Sequence, residues 1–291
     1  MNVFWQLDAS LQRNLVIFFA ASLCFWGGLA GMLPNLALYV GSFSASNQEI
    51  GWVMAAFALG LLFIRPKMSR LIDAKGRKPA LLIGVLVIAL APLLYLAVRF
   101  VPQATFTLPF LGWPIKSAVL LLLCVRAFHG ISVAAFATAY TTAVADMAPP
   151  QHRGELISTM SLASPLGMAF GPALGGYLSY SFTLSFLTMT ALGCVGTLCV
   201  LASKEPPRGA GVTPAVKPAE ETQSVPKEPK PLFWRLIFTP PIRMPALMLF
   251  VIGIAFGSMV TFIPLYVQAR SWEINIGLIY TASAIASFSI R

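Results

Sequence analysis

Charge is what this sequence lacks most. Only 10% of its 291 residues are Asp, Glu, Lys or Arg, and the acids number ten. A water-soluble domain needs far more charge to cover its surface, so a soluble globular protein is excluded. Histidine is rarer still, with His129 and His152 alone. The four cysteines, Cys24, Cys124, Cys194 and Cys199, lie inside apolar runs at no metal-ligating spacing. Neither a metal site nor a disulfide framework is expected, and the four read as small apolar residues. Neither a nucleophile with a nearby base nor a phosphate-cradling loop is present, so the chain does not read as an enzyme and requires no cofactor.

Apolar residues are abundant. They make up 57% of the chain, with a mean hydropathy of +0.79. They fall in blocks of about 20 residues, the length that crosses a bilayer as a helix. Eight such spans are expected: about Leu15 to Gly41, Asn47 to Ile64, Pro79 to Val101, Ser117 to Ala145, Glu155 to Tyr177, Phe182 to Ala202, Pro245 to Gln268, and from Ile274 onward. The first block is too long for the core of a cleaved signal peptide. Residues 1–14 read as a short polar tail anchored at the interface by Phe4 and Trp5.

The net charge of +10 would suit a nucleic-acid partner, but its distribution does not. Sixteen of the twenty basic residues fall in segments on one side of these spans; Arg99, Lys116 and Arg270 fall on the other, and Arg126 lies within a span. This asymmetry places the basic side and the N-terminus in the cytoplasm, facing lipid headgroups rather than nucleic acid.

Composition also divides the chain. Residues 1–202 hold six spans. Residues 203–231 are rich in Pro, Glu, Lys and Ala, too polar to bury a core, and read as a disordered cytoplasmic linker. Leu232 to Ile242 mixes Phe233, Trp234 and Phe238 with Arg235, which suits a short helix lying in the membrane interface. The linker region is thus 203–243, and residues 244–291 hold two further spans. These repeat the start of the chain: Ile276-Gly277 and Ile290-Arg291 match Ile50-Gly51 and Ile64-Arg65 at a common offset of 226 (276 against 50). Leu265-Tyr266-Val267 matches Leu38-Tyr39-Val40 one residue off that register. A complete second copy would end near residue 430 or so, and the chain is expected to be a fragment of a protein of about 400–430 residues.

Three motifs carry the chemistry. The first is the stretch from Arg65 to Lys78, with six basic residues and one acid, read as a cytoplasmic loop with a tight turn at Gly76. The second is Arg126-Ala127-Phe128-His129-Gly130 in the fourth span. An arginine in hydrocarbon is expensive and by default faces a cavity or a partner, although it could also snorkel to the outer interface. His129 could titrate near neutral pH or simply pack helices. The third is Gly167-Met168-Ala169-Phe170-Gly171-Pro172-Ala173-Leu174-Gly175-Gly176, whose small residues four apart let helices approach closely.

These residues resemble the major facilitator superfamily of transporters. Asp73, Gly76, Arg77 and Lys78 match its loop motif between the second and third helices, with Ser69 and Ala74 departing from it. Arg126 and Gly130 match a fourth-helix motif in which His129 replaces Gln. Gly171-Pro172-x-x-Gly175-Gly176 is similar to the fifth-helix motif of the drug–proton antiporter branch. The resemblance implies an all-α polytopic membrane protein, with one complete six-helix bundle and the first two helices of a second. It implies a conformational switch at Asp73, Gly76, Arg77 and Lys78, and a charge relay of Asp146, Arg153 and Glu155 in which Asp146 pairs with Arg77. Arg126 and His129 would couple protons. Helix-end capping is the plainer reading of Asp146 and Glu155. Trp26, Asn35, Tyr140, Ser258 and Thr261 are the expected pocket residues, Trp26 and Tyr140 being equally suited to packing.

The functional expectation is a proton-coupled exporter of a small organic molecule, working by alternating access. A sugar or metabolite transporter of the same superfamily is one alternative. A non-transporting membrane protein or assembly partner is another. No acid lies mid-span, so a strongly cationic substrate would lack a counter-charge within this chain.

Overall fold

A computed structural model describes residues 2–102, 104–107, 114–205 and 239–289. It is a bundle of helices. α1 (Asn2–Gln6) and α2 (Ala9–Gly31) lead into α3 (Leu33–Gly41), α4 (Asn47–Lys75) and α5 (Arg77–Ala97). A short antiparallel pair follows, β1 (Thr105–Thr107) with β2 (Pro114–Lys116). Then come α6 (Ser117–Met147), α7 (Arg153–Ser161), α8 (Ala163–Tyr177), α9 (Phe182–Ala202), α10 (Pro240–Ala269) and α11 (Ile276–Ser289). Six continuous stretches among the described residues are long and apolar enough to cross a membrane, and Ile276–Ala286 is a shorter apolar helix.

Local sequence explains the element ends. α4 starts in a capping box: the Ser46 hydroxyl accepts the Glu49 N–H at 3.2 Å, and the Glu49 carboxylate accepts the Ser46 N–H at 2.7 Å. Gly76 ends it with a φ of 96°, which a side chain would resist, and α5 begins at the next residue. The stretch from Arg65 to Lys75, expected as a loop, is therefore the last three turns of α4. Arg and Lys are good helix formers, and Pro66 is accommodated within the helix. The expected polar tail is also helical: α1 forms, and α2 starts at Ala9 beneath an Asp8 cap. The first span breaks at Met32, two residues before Pro34, and the fifth breaks at Leu162. The seventh starts at Pro240 rather than Pro245. Most of the expected linker and interfacial helix falls on residues 206–238, which lie outside the described residues; residues 240–243 belong to α10.

Two apolar clusters hold the first bundle together. At one end Leu15, Phe18, Phe25, Ile72, Leu81, Phe136 and Tyr140 pack, with Phe25 stacked on Phe136 at 4.1 Å. At the other, Met32, Leu36, Tyr39, Tyr95 and Phe186 pack, and the Tyr39 hydroxyl donates to the Tyr95 carbonyl at 2.8 Å. α10 is different: apolar along its length, it presents Leu247, Met248, Leu249 and Phe250 outward.

Candidate functional site

A cavity of about 620 Å3 opens between α2, α3, α4, α6, α8 and α10. Trp26, Leu33, Met54, Phe57, Met168, Phe256 and Phe262 form much of its wall, and Arg126 is its charged group. Ser258 and Thr261 face it from α10, although the Thr261 hydroxyl is engaged by the Gly257 carbonyl at 2.8 Å.

The local sequence seats Arg126. Gly130 lies one turn further along α6, and a Cβ there would fall on the Phe57 carbonyl oxygen. A Cβ at Gly60 would meet Ala127 in the same way. These two glycines let the α4 and α6 backbones touch, which brings the Phe57 ring to 4.5 Å beneath the guanidinium. Arg126 is only 6% exposed, so it lies in the cavity wall instead of snorkelling outward. Its Nη1 lies 3.4 Å from His129 Nδ1, and Tyr95 Oη lies 3.5 Å from the same atom. His129 is fully buried behind Arg126, edge-on to Phe57, and does not line the cavity.

Two expected pocket residues are packing residues. Asn35 Nδ2 donates to the Gly175 carbonyl at 2.7 Å and to Ser185 Oγ at 2.8 Å, fastening α3 to α8 and α9. Tyr140 donates to the Met160 carbonyl at 3.0 Å and stacks on Phe136. Tyr140 and the Asn35 Nδ2 are satisfied within the bundle, Asn35 Oδ1 has no partner among the described residues, and both side chains turn away from the cavity. Phe57, Met54, Phe256 and Phe262 were missed by sequence reasoning, which favoured polar candidates. The i, i+3 spacing of Met54 and Phe57 was the available signal.

The charged residues gather where α4 ends and α5 begins. Arg77 Nε lies 2.8 Å from Asp146 Oδ2, and both side chains are largely buried. An acid in the last turn of a helix opposes the helix dipole, and the arginine offsets it. The Arg77 N–H donates to Glu205 at 2.8 Å. Lys78 Nζ donates to the Leu201 and Ser203 carbonyls at 2.9 and 2.6 Å, capping the end of α9. Asn14 and Lys204 exchange two bonds, at 2.9 and 2.8 Å. Arg153 opens α7 and Glu155 sits in its first turn, where an acid favours the dipole. The Asp73 side chain is exposed and makes no hydrogen bond or ion pair among the described residues.

The glycine-rich segment of α8 works on two faces. Gly167, Gly171 and Gly175 touch the α2 backbone around Gly27 and Gly31, where any Cβ would collide. Gly176 and Pro172 turn instead toward Gly277 on α11, and Thr281 donates to the Ala169 carbonyl at 2.7 Å. One segment therefore closes the first bundle and also docks a helix from beyond the chain's midpoint.

A helical bundle with repeated apolar spans and a central cavity defines an integral, multi-pass membrane protein. The chain belongs to the Major Facilitator Superfamily, whose sequence profile matches residues 16–291. It is 25% identical over 188 residues to Multidrug resistance protein 1 of Bacillus subtilis, covering 62% of this chain and 42% of that protein. It is 23% identical over 265 residues to the quinolone resistance protein NorA of Staphylococcus aureus, covering 91% of this chain and 60% of that one. The chain thus spans about half the length of the curated relatives it matches. Its fold resembles the crystal structure of a D-xylose–proton symporter, with a TM-score of 0.61 and 14% identity over 94% of this chain and 65% of that one.

Proposed function

We propose that this chain forms the substrate path of a proton-coupled exporter of a small organic molecule. The observation that carries this reading is the cavity between the first bundle and α10, with a buried arginine in its wall. The relatives, multidrug and quinolone resistance proteins, favour export. An apolar, aromatic wall suits a greasy molecule better than a sugar.

In this reading residues 1–202 are one rocking unit, 203–243 tether it on the cytoplasmic side, and 244–291 begin the second unit. The N-terminus and the Arg77 end face the cytoplasm. The Arg77–Asp146 pair, with Asp73, Gly76 and Lys78, holds one access state. Arg153 and Glu155 support the relay at the start of α7, and Arg126 with His129 couples substrate movement to protons.

The test reconstitutes the chain in liposomes, imposes a pH gradient and follows extrusion of a fluorescent amphipathic dye. Gradient-driven movement abolished by Arg126→Ala is the expected result. Movement indifferent to the gradient or to that change would refute the coupling. The exposed apolar face of α10 favours a second reading, in which the chain works only as part of a larger assembly. Movement only when further protein is supplied would select it.

A further inference from the structure

The transport reading leaves the substrate open, and the cavity wall narrows it. We infer that the cavity takes an aromatic or bulky apolar molecule carrying an anionic group, a carboxylate or sulfonate, rather than a lipophilic cation. The inference rests on the cavity being the substrate path.

Three observations carry it. First, the stretches that line the cavity, 26–33, 51–58, 126–133 and 253–262, together with Met168, contain not one of the ten acids in the sequence. The acids that are described serve elsewhere or stand in the open: Glu49 caps α4, Asp146 holds Arg77, and Glu205 takes the Arg77 N–H. Second, Arg126 supplies positive charge with no carboxylate facing it among the described residues. Among the described residues its Nε is buried without a hydrogen-bond partner, and the rest of the guanidinium meets only the Tyr95 hydroxyl and, at 3.4 Å, His129 Nδ1. A buried cation left without a counter-charge is costly, and an anion entering the cavity relieves that cost. Third, the Phe57 ring covers one face of the guanidinium, which leaves the edge with its N–H donors for a planar anionic group. Trp26, Phe256 and Phe262 then supply apolar surface for the rest of the molecule.

The experiment uses the full chain in lipid nanodiscs and three naphthalene probes of matched shape: 2-naphthoate, 2-naphthamide and 2-naphthylmethylammonium. Calorimetric titration at neutral pH reads their affinities. The expected result is that naphthoate binds about tenfold or more tighter than the ammonium. Arg126→Gln should shrink that preference to within about threefold, and Arg126→Lys, which keeps the charge but loses the planar fork, should retain part of it. Equal or tighter binding of the ammonium would overturn the inference, as would a preference that survives Arg126→Gln. Should the Gln variant lose the amide as well, the Lys variant decides: loss of the preference there overturns the inference. Absence of binding by all three probes overturns it too. The transport reading fails separately. A protein with the carboxylate preference but no gradient-driven movement would leave this inference standing and remove that one.

Discussion

At the scale of single residues, the molecule separates polar groups that pack from polar groups that wait. Asn35 is fully buried and makes two interhelical bonds, so Asn35→Ala should cost about 1–2 kcal/mol of stability. Thermal unfolding in detergent would register this as a drop of several degrees, with probe binding by the folded fraction unchanged. Ser258→Ala, on the exposed wall of the cavity, should leave the unfolding temperature where it was, within about 0.5 kcal/mol. Similar melting of the two variants would mean that Asn35 has been misassigned. Sequence could point to Arg126, because an arginine within a span demands an explanation. It could not separate Asn35 and Tyr140 from the cavity. Which face of a helix turns inward depends on its neighbours, and a buried amide is satisfied as well by a backbone carbonyl as by a ligand. Phe57 and Phe256 escaped for the opposite reason, since apolar residues in an apolar chain carry no mark.

At the scale of elements, the spans were legible because hydrophobic length alone sets them. Phe182 to Ala202 was expected and found over the same residues. The ends were less legible. Hydropathy falls at Ile64, but the helix persists to Lys75 because its hydrogen bonds do not depend on side-chain polarity. Gly76 is where the backbone, with its φ of 96°, stops it. Gly76→Ala should therefore cost about 1–3 kcal/mol, measurable in the same unfolding assay, whereas Ala74→Gly, in the exposed last turn, should cost at most about 1 kcal/mol through helix propensity alone. The glycine-rich α8 makes a sharper prediction. Gly175→Leu would drive a side chain into the Gly31 backbone and should prevent the first bundle from assembling. Gly176→Ala strikes Gly277 instead, so the first bundle should survive while α11 moves off. Disulfide cross-linking between cysteines placed at Ala169 and Thr281 reads this directly. It should be efficient in the parent and lost in Gly176→Ala, and unaltered cross-linking would contradict the two-face assignment.

At the scale of the whole molecule, the charged end is a set of ties among α2, α5, α6 and α9. The Arg77–Asp146 pair is largely buried, and removing one partner of such a pair costs on the order of 3–5 kcal/mol. Asp146→Asn should loosen this end. An impermeant maleimide should then react faster with a cysteine at Ser203, and the exchange Arg77→Asp with Asp146→Arg should restore slow labelling. Unchanged labelling in the single variant would show that the pair is not a restraint. The sequence placed Asp146 opposite Arg77 only through resemblance. The ties from Asn14 and Lys78 to residues 201–204 join points more than a hundred positions apart, and no local pattern encodes them.

The account depends most on the cavity being open to one side of the membrane at a time. The direct measurement places a single cysteine at Ser258 in a chain whose four native cysteines are replaced, and labels it with an impermeant maleimide from each face. The account predicts reaction from one face only, with the reactive face exchanged when the pH gradient is reversed. Labelling from both faces at once, or from the same face under either gradient, would contradict it.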